Sequence, residues 1–461
     1  MKNMTLKNIT AACHGTFHGD SSFLEKEITG VAIDSRKAAP GFLFVPLKGA
    51  RVDGHTFIPQ VMEQGALATL TEEDPSSLTC PCIHVESCEK ALRDIAAFYR
   101  MQLDIKVVGI TGSVGKTSTK ETIASVLSRK YNVLKTEGNF NNEIGLPLTI
   151  FKIRAKHEVA VLEMGISDFG EMHRLAAMAR PDIGVITNIG LCHLENLGTR
   201  DGILQAKTEM FDHLQVDGTV ILNGDDDKLS TKKEVNGKPV IFYGVGADSA
   251  FDIKKDIYAT DIENHGLEGM CAKIHTPQGD FDAKIPIPGE HNVYNALAGT
   301  AVGLQLGLSI REIAQGIASV QTIAGRTNLL HVKGMTVIDD CYNANPVSMK
   351  ASIDVLAHTS GRRIAVLGDM GELGAEEKEL HRSIGKAVAA SGIDALFCAG
   401  TLAEEYASEA KANPECEVHY KKTREEMTEE LLAYVKEGDT VLVKASHFME
   451  FPKVVEALTK E

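Results

Sequence analysis

Tryptophan is absent from this 461-residue chain, and no segment recurs with a period of about 20 to 50 residues, which excludes a solenoid of stacked repeats. Long apolar runs are missing as well. Nothing approaches the ~20 residues that a membrane-crossing helix needs. The start, Met1-Lys2-Asn3-Met4-Thr5, has no apolar signal core, so a cytoplasmic protein without membrane insertion is expected. Positive charge is in short supply: 48 Lys and Arg stand against 63 Asp and Glu, for a net charge of −15. Wrapping nucleic acid or an anionic membrane takes a basic footprint, so no nucleic acid partner is expected, although local sites can still hold small anions. The nine cysteines are odd in number and scattered, which suits reduced thiols better than a disulfide framework. Cys80-Pro81-Cys82-Ile83-His84 with Cys88 lacks the usual C-x2-C spacing, and no second pair follows, so zinc is not expected.

What is present is a phosphate loop. In Gly109-Ile110-Thr111-Gly112-Ser113-Val114-Gly115-Lys116-Thr117-Ser118, a β-branched strand pattern over 105–110 meets a helix whose Ile123, Val126 and Leu127 form one apolar face. The unpaired N–H groups and positive dipole end of that helix attract phosphate oxygens. Lys116 can reach the β- and γ-phosphates, and the Thr117 hydroxyl can ligate Mg2+. The loop reads T-G-x-x-G-K-T, with Ile110 where the commoner spacing needs glycine.

Length suggests about three units, each with its own core. Residues 1–103 read as a small α/β unit ending in a helix marked by Ala91, Ile95, Phe98 and Tyr99. Residues 104–323 alternate strands, at 133–135, 157–163, 183–187 and 219–222, with helices. That alternation implies a doubly wound, mainly parallel sheet, to which alternating residues over 257–287 add antiparallel strands. Residues 324–461 open with a strand at 335–339 and form a further Rossmann-like α/β layer, with strands at 363–367, 395–398, 417–420 and 440–443. The hinge falls near 321–325. The fold class is thus α/β in three domains. Gly244-Val245-Gly246 begins like a dinucleotide fingerprint, but Ser249 replaces the third glycine, so it reads as a turn.

Several residues can carry chemistry. Glu163 ends a strand of the loop's sheet, where Mg2+ would find an oxygen ligand. His193 follows the next strand and falls on the same rim. Lys207 interrupts the apolar stripe of Ile203, Met210, Phe211 and Leu214. It either snorkels to water or reaches inward, where a neutral amine could take up carbon dioxide as a carbamate. Asn292 and Asn295 stand at a helix start, where one could cap the helix and the other read a base edge, or both could serve the helix alone. Arg326, at the hinge, and Asp340, after the first strand of the last unit, suit nucleotide contacts across a cleft.

Together these pieces resemble the Mur ligases, the ATP-dependent family that builds the cytoplasmic peptidoglycan precursor. The resemblance rests on Asp34-Ser35-Arg36 with Lys48-Gly49 and Asp53-Gly54-His55, on the loop with Lys120-Glu121, on Gly138-Asn139-Phe140-Asn141-Asn142-Glu143-Ile144-Gly145, and on Asp340-Cys341-Tyr342-Asn343-Ala344-Asn345-Pro346. It implies ATP-dependent addition of D-alanyl-D-alanine to UDP-N-acetylmuramoyl-tripeptide through an acyl phosphate, by a protein expected to be a monomer. Carried onto this chain, it makes Asp34, Ser35, Arg36, Lys48, Asn141 and Asn142 contacts of the UDP substrate. Thr111, Gly112, Ser113, Val114, Gly115, Lys116, Thr117, Ser118, Asn292, Asn295, Arg326 and Asp340 would hold ATP. Thr117, Glu163, His193 and a carbamylated Lys207 would hold two Mg2+ ions, and Lys116, Glu163, His193 and Lys207 would be catalytic. Asn343, Asn345 and Ser446 would face the dipeptide. The late motif departs from the family's Lys-Gly-Ser-Arg, reading Lys444-Ala445-Ser446-His447. A folylpolyglutamate synthase would share the last two units but not the Asp-Ser-Arg unit, and no guanine-reading Asn-Lys-x-Asp motif marks a nucleotide switch. The last domain is expected to close over the central one.

Overall fold

The computed structural model describes residues 1–460. Three main sheets follow one another along the chain, of five, nine and six strands. The central sheet positions the site. Its loop strand, Lys106–Thr111, is buried along all but its first residue, as a β-branched strand covered on both faces must be. It lies between Val159–Glu163 and Ile183–Ile186, and both neighbours run parallel to it. The chain order reverses there, so a crevice opens at the carboxyl ends of these three strands.

The remaining strands refine the expected layout. Thr219–Asn223 and Ile241–Val245 extend the sheet in parallel, and so does Ile257–Asn264. Only Met270–Thr276 and Gly279–Ile285 are antiparallel additions, so the first strand of the segment expected to be antiparallel belongs to the parallel core. The sheet of the last unit also gains a strand ahead of the one expected to open it. Asn328–Val332 pairs antiparallel with Met335–Asp339 as a hairpin, and Met335–Asp339 is therefore the second strand rather than the first. Asn328–Val332 was hard to read because this edge strand is only half-buried and shows no clear alternation. The strands Asp439–Lys444, Arg362–Gly368, Ala395–Ala399 and Glu417–Lys421 complete a parallel sheet beside it. The nine cysteines are free thiols, and among the described residues no helix is long and apolar enough to cross a membrane.

The expectation of one separate core per unit fails at the first junction. A single apolar cluster runs from Leu6, Ile83 and Leu92 into Ile150, Leu162 and Leu175. The helix Cys88–Met101 makes that bridge, with buried Ala91, Leu92, Ile95 and Tyr99 on one side. Tyr99 donates its hydroxyl to Ile153 O at 2.7 Å. Arg100, only 3% exposed, donates to the carbonyls of Ala179, Leu103, Ile105 and Arg180 and lies 3.8 Å from Asp182. A charge that deep is tolerated because every guanidinium nitrogen donates to a carbonyl. The last unit differs, with its own two clusters on either face of its sheet.

Removing Arg100 leaves those carbonyls without their donor and takes a buried positive charge away from Asp182. Arg100→Met is expected to cost about 3 kcal/mol of stability. Urea unfolding should show the first and central units shifting together, because they share a core. A variant that unfolds at the wild-type midpoint would contradict this.

Candidate active site

The loop's shape follows from its neighbours. Ile110 pairs in register with Glu163, and Thr111 with Ile186, so the loop begins where a carboxylate strand and the approach to His193 both end. Gly112 has φ +151, and a Cβ there would lie 1.9 Å from Thr187 Oγ1. Gly115, at φ +81, supplies the left-handed turn that opens the helix Lys116–Leu127. Asn188 clasps the loop tip. Its backbone carbonyl and Oδ1 accept from Ser113 N and Val114 N, while its Nδ2 donates to Val114 O, each at 3.0 Å. The sequence offered only an amide after a strand as a signal for that residue. Lys116 Nζ donates to Gly112 O at 2.8 Å.

Glu163 is the buried charge of the site, 2% exposed. Its Oε1 accepts from Thr117 Oγ1 at 3.2 Å and from Asn141 Nδ2 at 2.9 Å. Its Oε2 is buried with no hydrogen-bond donor among the described residues, although Lys120 Nζ lies 3.8 Å away. A buried carboxylate oxygen left open next to a hydroxyl fits a hard divalent cation such as Mg2+. Lys120, 1% exposed, also holds Thr136 O at 2.7 Å and Glu121 at 3.1 Å. In the sequence it had served only to mark the family.

Lys207 does not snorkel: its side chain is 1% exposed. The helix Arg200–Thr208 that carries it tightens into a 3-10 turn, Glu209–His213, which brings Met210 and Phe211 into the core. Burial first, then the Lys116 charge, pulls the amine down to about 8, and Cys192 opposes them. His193 feels the charges of both lysines, and it lines the cleft with Lys116, whereas Lys207 lies behind that lining. Burial lowers the pKa of His193, whereas Glu372 acts to raise it. His193 Nδ1 meets Glu372 Oε2 at 2.8 Å, a contact reaching from the last unit into the central one.

Neither asparagine caps its helix. Glu290 holds the N-cap position of His291–Gln305 without a side-chain bond. Asn292 Nδ2 donates to Pro288 O at 2.8 Å. Asn295 donates to Asn292 Oδ1 at 2.8 Å and accepts from Thr119 Oγ1 at 2.7 Å, tying this turn to the loop helix. Across the cleft, the Arg326 guanidinium stacks 4.1 Å over the Tyr342 ring. Asp340 is committed to its own unit: Oδ2 accepts from Lys444 at 2.6 Å and Ser352 at 2.5 Å, and Oδ1 from Thr327 N. Burial opposes ionisation there, but Lys444 and the donors hold the carboxyl below its usual range. The odd late motif thus keeps a buried ion pair through Lys444.

A cleft of about 550 Å3 gathers Ser113, Val114, Gly115, Lys116, Thr117, Ser118, Glu163, His193, Asn295, Arg326 and Asp340. Asn141, Asn142, Asn343 and Asn345 line it as well. Ser446 does not line it. Its Oγ, 4% exposed, accepts from Gly371 N at 2.9 Å and donates to Ala344 O, so it braces two loops instead of facing a ligand. Asn345 caps the helix Pro346–Ala357 through Oδ1, and Asn343 Oδ1 accepts from Ala344 N. Asp34, Ser35, Arg36 and Lys48 lie apart from this cleft. Asp34 is drawn to about 2 by the Arg36 guanidinium it pairs with, and Lys48 pairs with Glu72 at 2.9 Å.

Comparison with known proteins gives three family matches along the chain: the Mur ligase family catalytic domain over 27–100, the Mur ligase middle domain over 110–303, and the Mur ligase glutamate ligase domain over 325–447. The UDP-N-acetylmuramoyl-tripeptide--D-alanyl-D-alanine ligase of Bacillus subtilis (strain 168) is 38% identical, with 99% of each chain covered. Crystal structure I of MurF from Acinetobacter baumannii superposes with a TM-score of 0.89 at 32% identity, covering 98% of both chains. MurF ligase from Thermotoga maritima in complex with ADP gives 0.80 at 31% identity, covering 93% of this chain and 96% of that one.

The Gly112 geometry yields a test. Gly112→Ala is expected to weaken ATP binding at least tenfold while leaving the fold intact, because the new Cβ would drive Thr187 and the loop apart. Calorimetric titration reads it, and an unchanged affinity would contradict the loop assignment.

Proposed function

The chain belongs to the Mur ligase family, and we propose that it works as its relatives are named, joining D-alanyl-D-alanine to UDP-N-acetylmuramoyl-tripeptide at the cleft just described. It is a ligase of peptidoglycan precursor synthesis that uses ATP. The observation that carries the reading of the site is the open oxygen of Glu163, buried beside Thr117 at the mouth of the phosphate loop.

In the proposed reaction, a carboxylate oxygen of the tripeptide attacks the γ-phosphorus of ATP, the bond to the β-phosphate oxygen breaks, and ADP leaves. The D-alanyl-D-alanine amine then adds to the acyl phosphate carbonyl, loses a proton, and expels phosphate carrying the former carboxylate oxygen. Lys116 and the N–H groups at the start of Lys116–Leu127 hold the phosphates where negative charge builds up. Thr117, Glu163, His193 and Lys207 as its carbamate would hold two Mg2+ ions, which supply positive charge to the transferring phosphoryl group. A buried amine of lowered pKa is neutral more often, and the neutral amine is the form that adds to carbon dioxide. Arg326 and Asn343, from the last unit, close the cleft and keep water from the activated carbonyl. Asn295 faces the adenosine with Asn292 holding it from behind, and Asp34, Ser35, Arg36 and Lys48 face the uridine end. The cytoplasm is the proposed location, and a monomer suffices because one chain lines the whole cleft.

Two outcomes test this. Phosphate release with ATP and Mg2+ should need both the tripeptide substrate and D-alanyl-D-alanine, and steady turnover with either omitted would contradict the ligase assignment. Lys207→Ala should lose at least a hundredfold in kcat, with partial recovery in acetate. Wild-type turnover in that variant would remove Lys207 from the mechanism.

A further inference from the structure

The contact between Glu372 and His193 spans two units and is built from both sides. On the last unit, Gly371 N donates to Ser446 Oγ, Leu373 is buried in the core, and Asp369 accepts from Leu402 N and Ala403 N. The loop is therefore pinned on either side of Glu372, whose side chain stands 64% exposed and projects towards the central unit. On that unit, Ile189 N donates to Asp226, Gly190 N donates to Ser113 Oγ, and His193 O accepts from Asn196 N and Leu197 N. Both residues of the pair have left-handed backbones, φ +54 at His193 and φ +61 at Glu372, although neither is glycine. Two non-glycine residues held in that region and aimed at each other mark a place where geometry outranks backbone comfort.

Histidines that bind metals commonly give their second ring nitrogen to a carboxylate, which fixes the ring's tautomer and orientation. Glu372 takes Nδ1, which leaves Nε2 for a ligand. We propose that Glu372 is a positioning residue for the ligation reaction: it reaches over from the last domain to set the His193 ring, so the metal centre is completed only when that domain is seated. Charge balance and domain closure are then one event, and the acyl transfer is not primed while the cleft stands open. This also gives Ser446 a purpose, since it braces the loop that delivers Glu372.

The inference rests on His193 being a metal ligand, and the test separates the two ideas. Mn2+ binding to the full-length protein in bicarbonate buffer is followed by loss of the free-ion electron paramagnetic resonance signal. Four variants are compared: Glu372→Ala, Glu372→Gln, His193→Ala and, as a charge-matched control, the exposed Glu376→Ala. Glu372→Ala should bind Mn2+ about tenfold more weakly. Glu372→Gln, whose amide oxygen can still accept from Nδ1, should recover most of that loss, and the control should match wild type. An affinity in Glu372→Ala equal to the control's, or tighter than wild type, overturns the proposal while His193→Ala still weakens binding. If His193→Ala leaves binding unchanged, the metal assignment itself falls and this inference with it.

Discussion

A carboxylate buried at the end of one strand, in register with a phosphate loop at the end of the next, is the arrangement on which the rest of the cleft depends. Glu163 sits opposite Ile110, and Gly112 follows two residues later. Burying a carboxylate is costly unless its oxygens are met, and here the surroundings meet only part of the demand. Thr117 and Asn141 serve one oxygen, and Lys120 stands off the other at 3.8 Å. The remainder is a demand for positive charge next to the place where a triphosphate would add more negative charge. Lys120 stands beside this point, and Lys116 and His193 line the same cleft.

The three units answer that demand with different mechanics. The first is welded to the centre by a continuous apolar core and by Arg100, whose guanidinium is spent on backbone carbonyls of the junction. Its orientation on the centre is therefore fixed. The last unit keeps its own cores and meets the centre through Leu267, which packs against one of them, and through the polar pair of Glu372 with His193. Such limited contacts break more readily than a shared core, so this is the joint suited to opening and closing. Within it, the ion pair of Asp340 with Lys444 stabilises the strand ends that carry Tyr342 and Arg326 towards the cleft.

Much of this could be read in the sequence where a local rule governs the outcome. The alternation of buried β-branched strands and amphipathic helices set out most strands of the central and last sheets to within a residue or two, as with 157–163 for the observed Val159–Glu163. The loop was readable because its glycines and lysine act within a few residues of one another. What could not be read depends on partners far along the chain. Asn188 clasps the loop across 74 residues, Thr119 finds Asn295 across 176, and Ser446 turns away from the cleft to hold Gly371 across 75. Asn292 and Asn295 look like helix caps by spacing, yet the turn at Pro288 and Gly289 places them inside, where they bond to each other. The fused core at the first junction was hidden because the pattern Ala91, Ile95 and Tyr99 shows that a face is buried but not what covers it.

The account stands most directly on the fate of one oxygen atom. With the terminal carboxylate of the UDP-N-acetylmuramoyl-tripeptide labelled with oxygen-18, turnover with ATP and D-alanyl-D-alanine should place one labelled oxygen in each phosphate released, as read by the isotope shift in its phosphorus resonance. Phosphate released without the label during amide formation would show that the carboxylate never attacked the γ-phosphorus, and would contradict the chemistry assigned to this cleft.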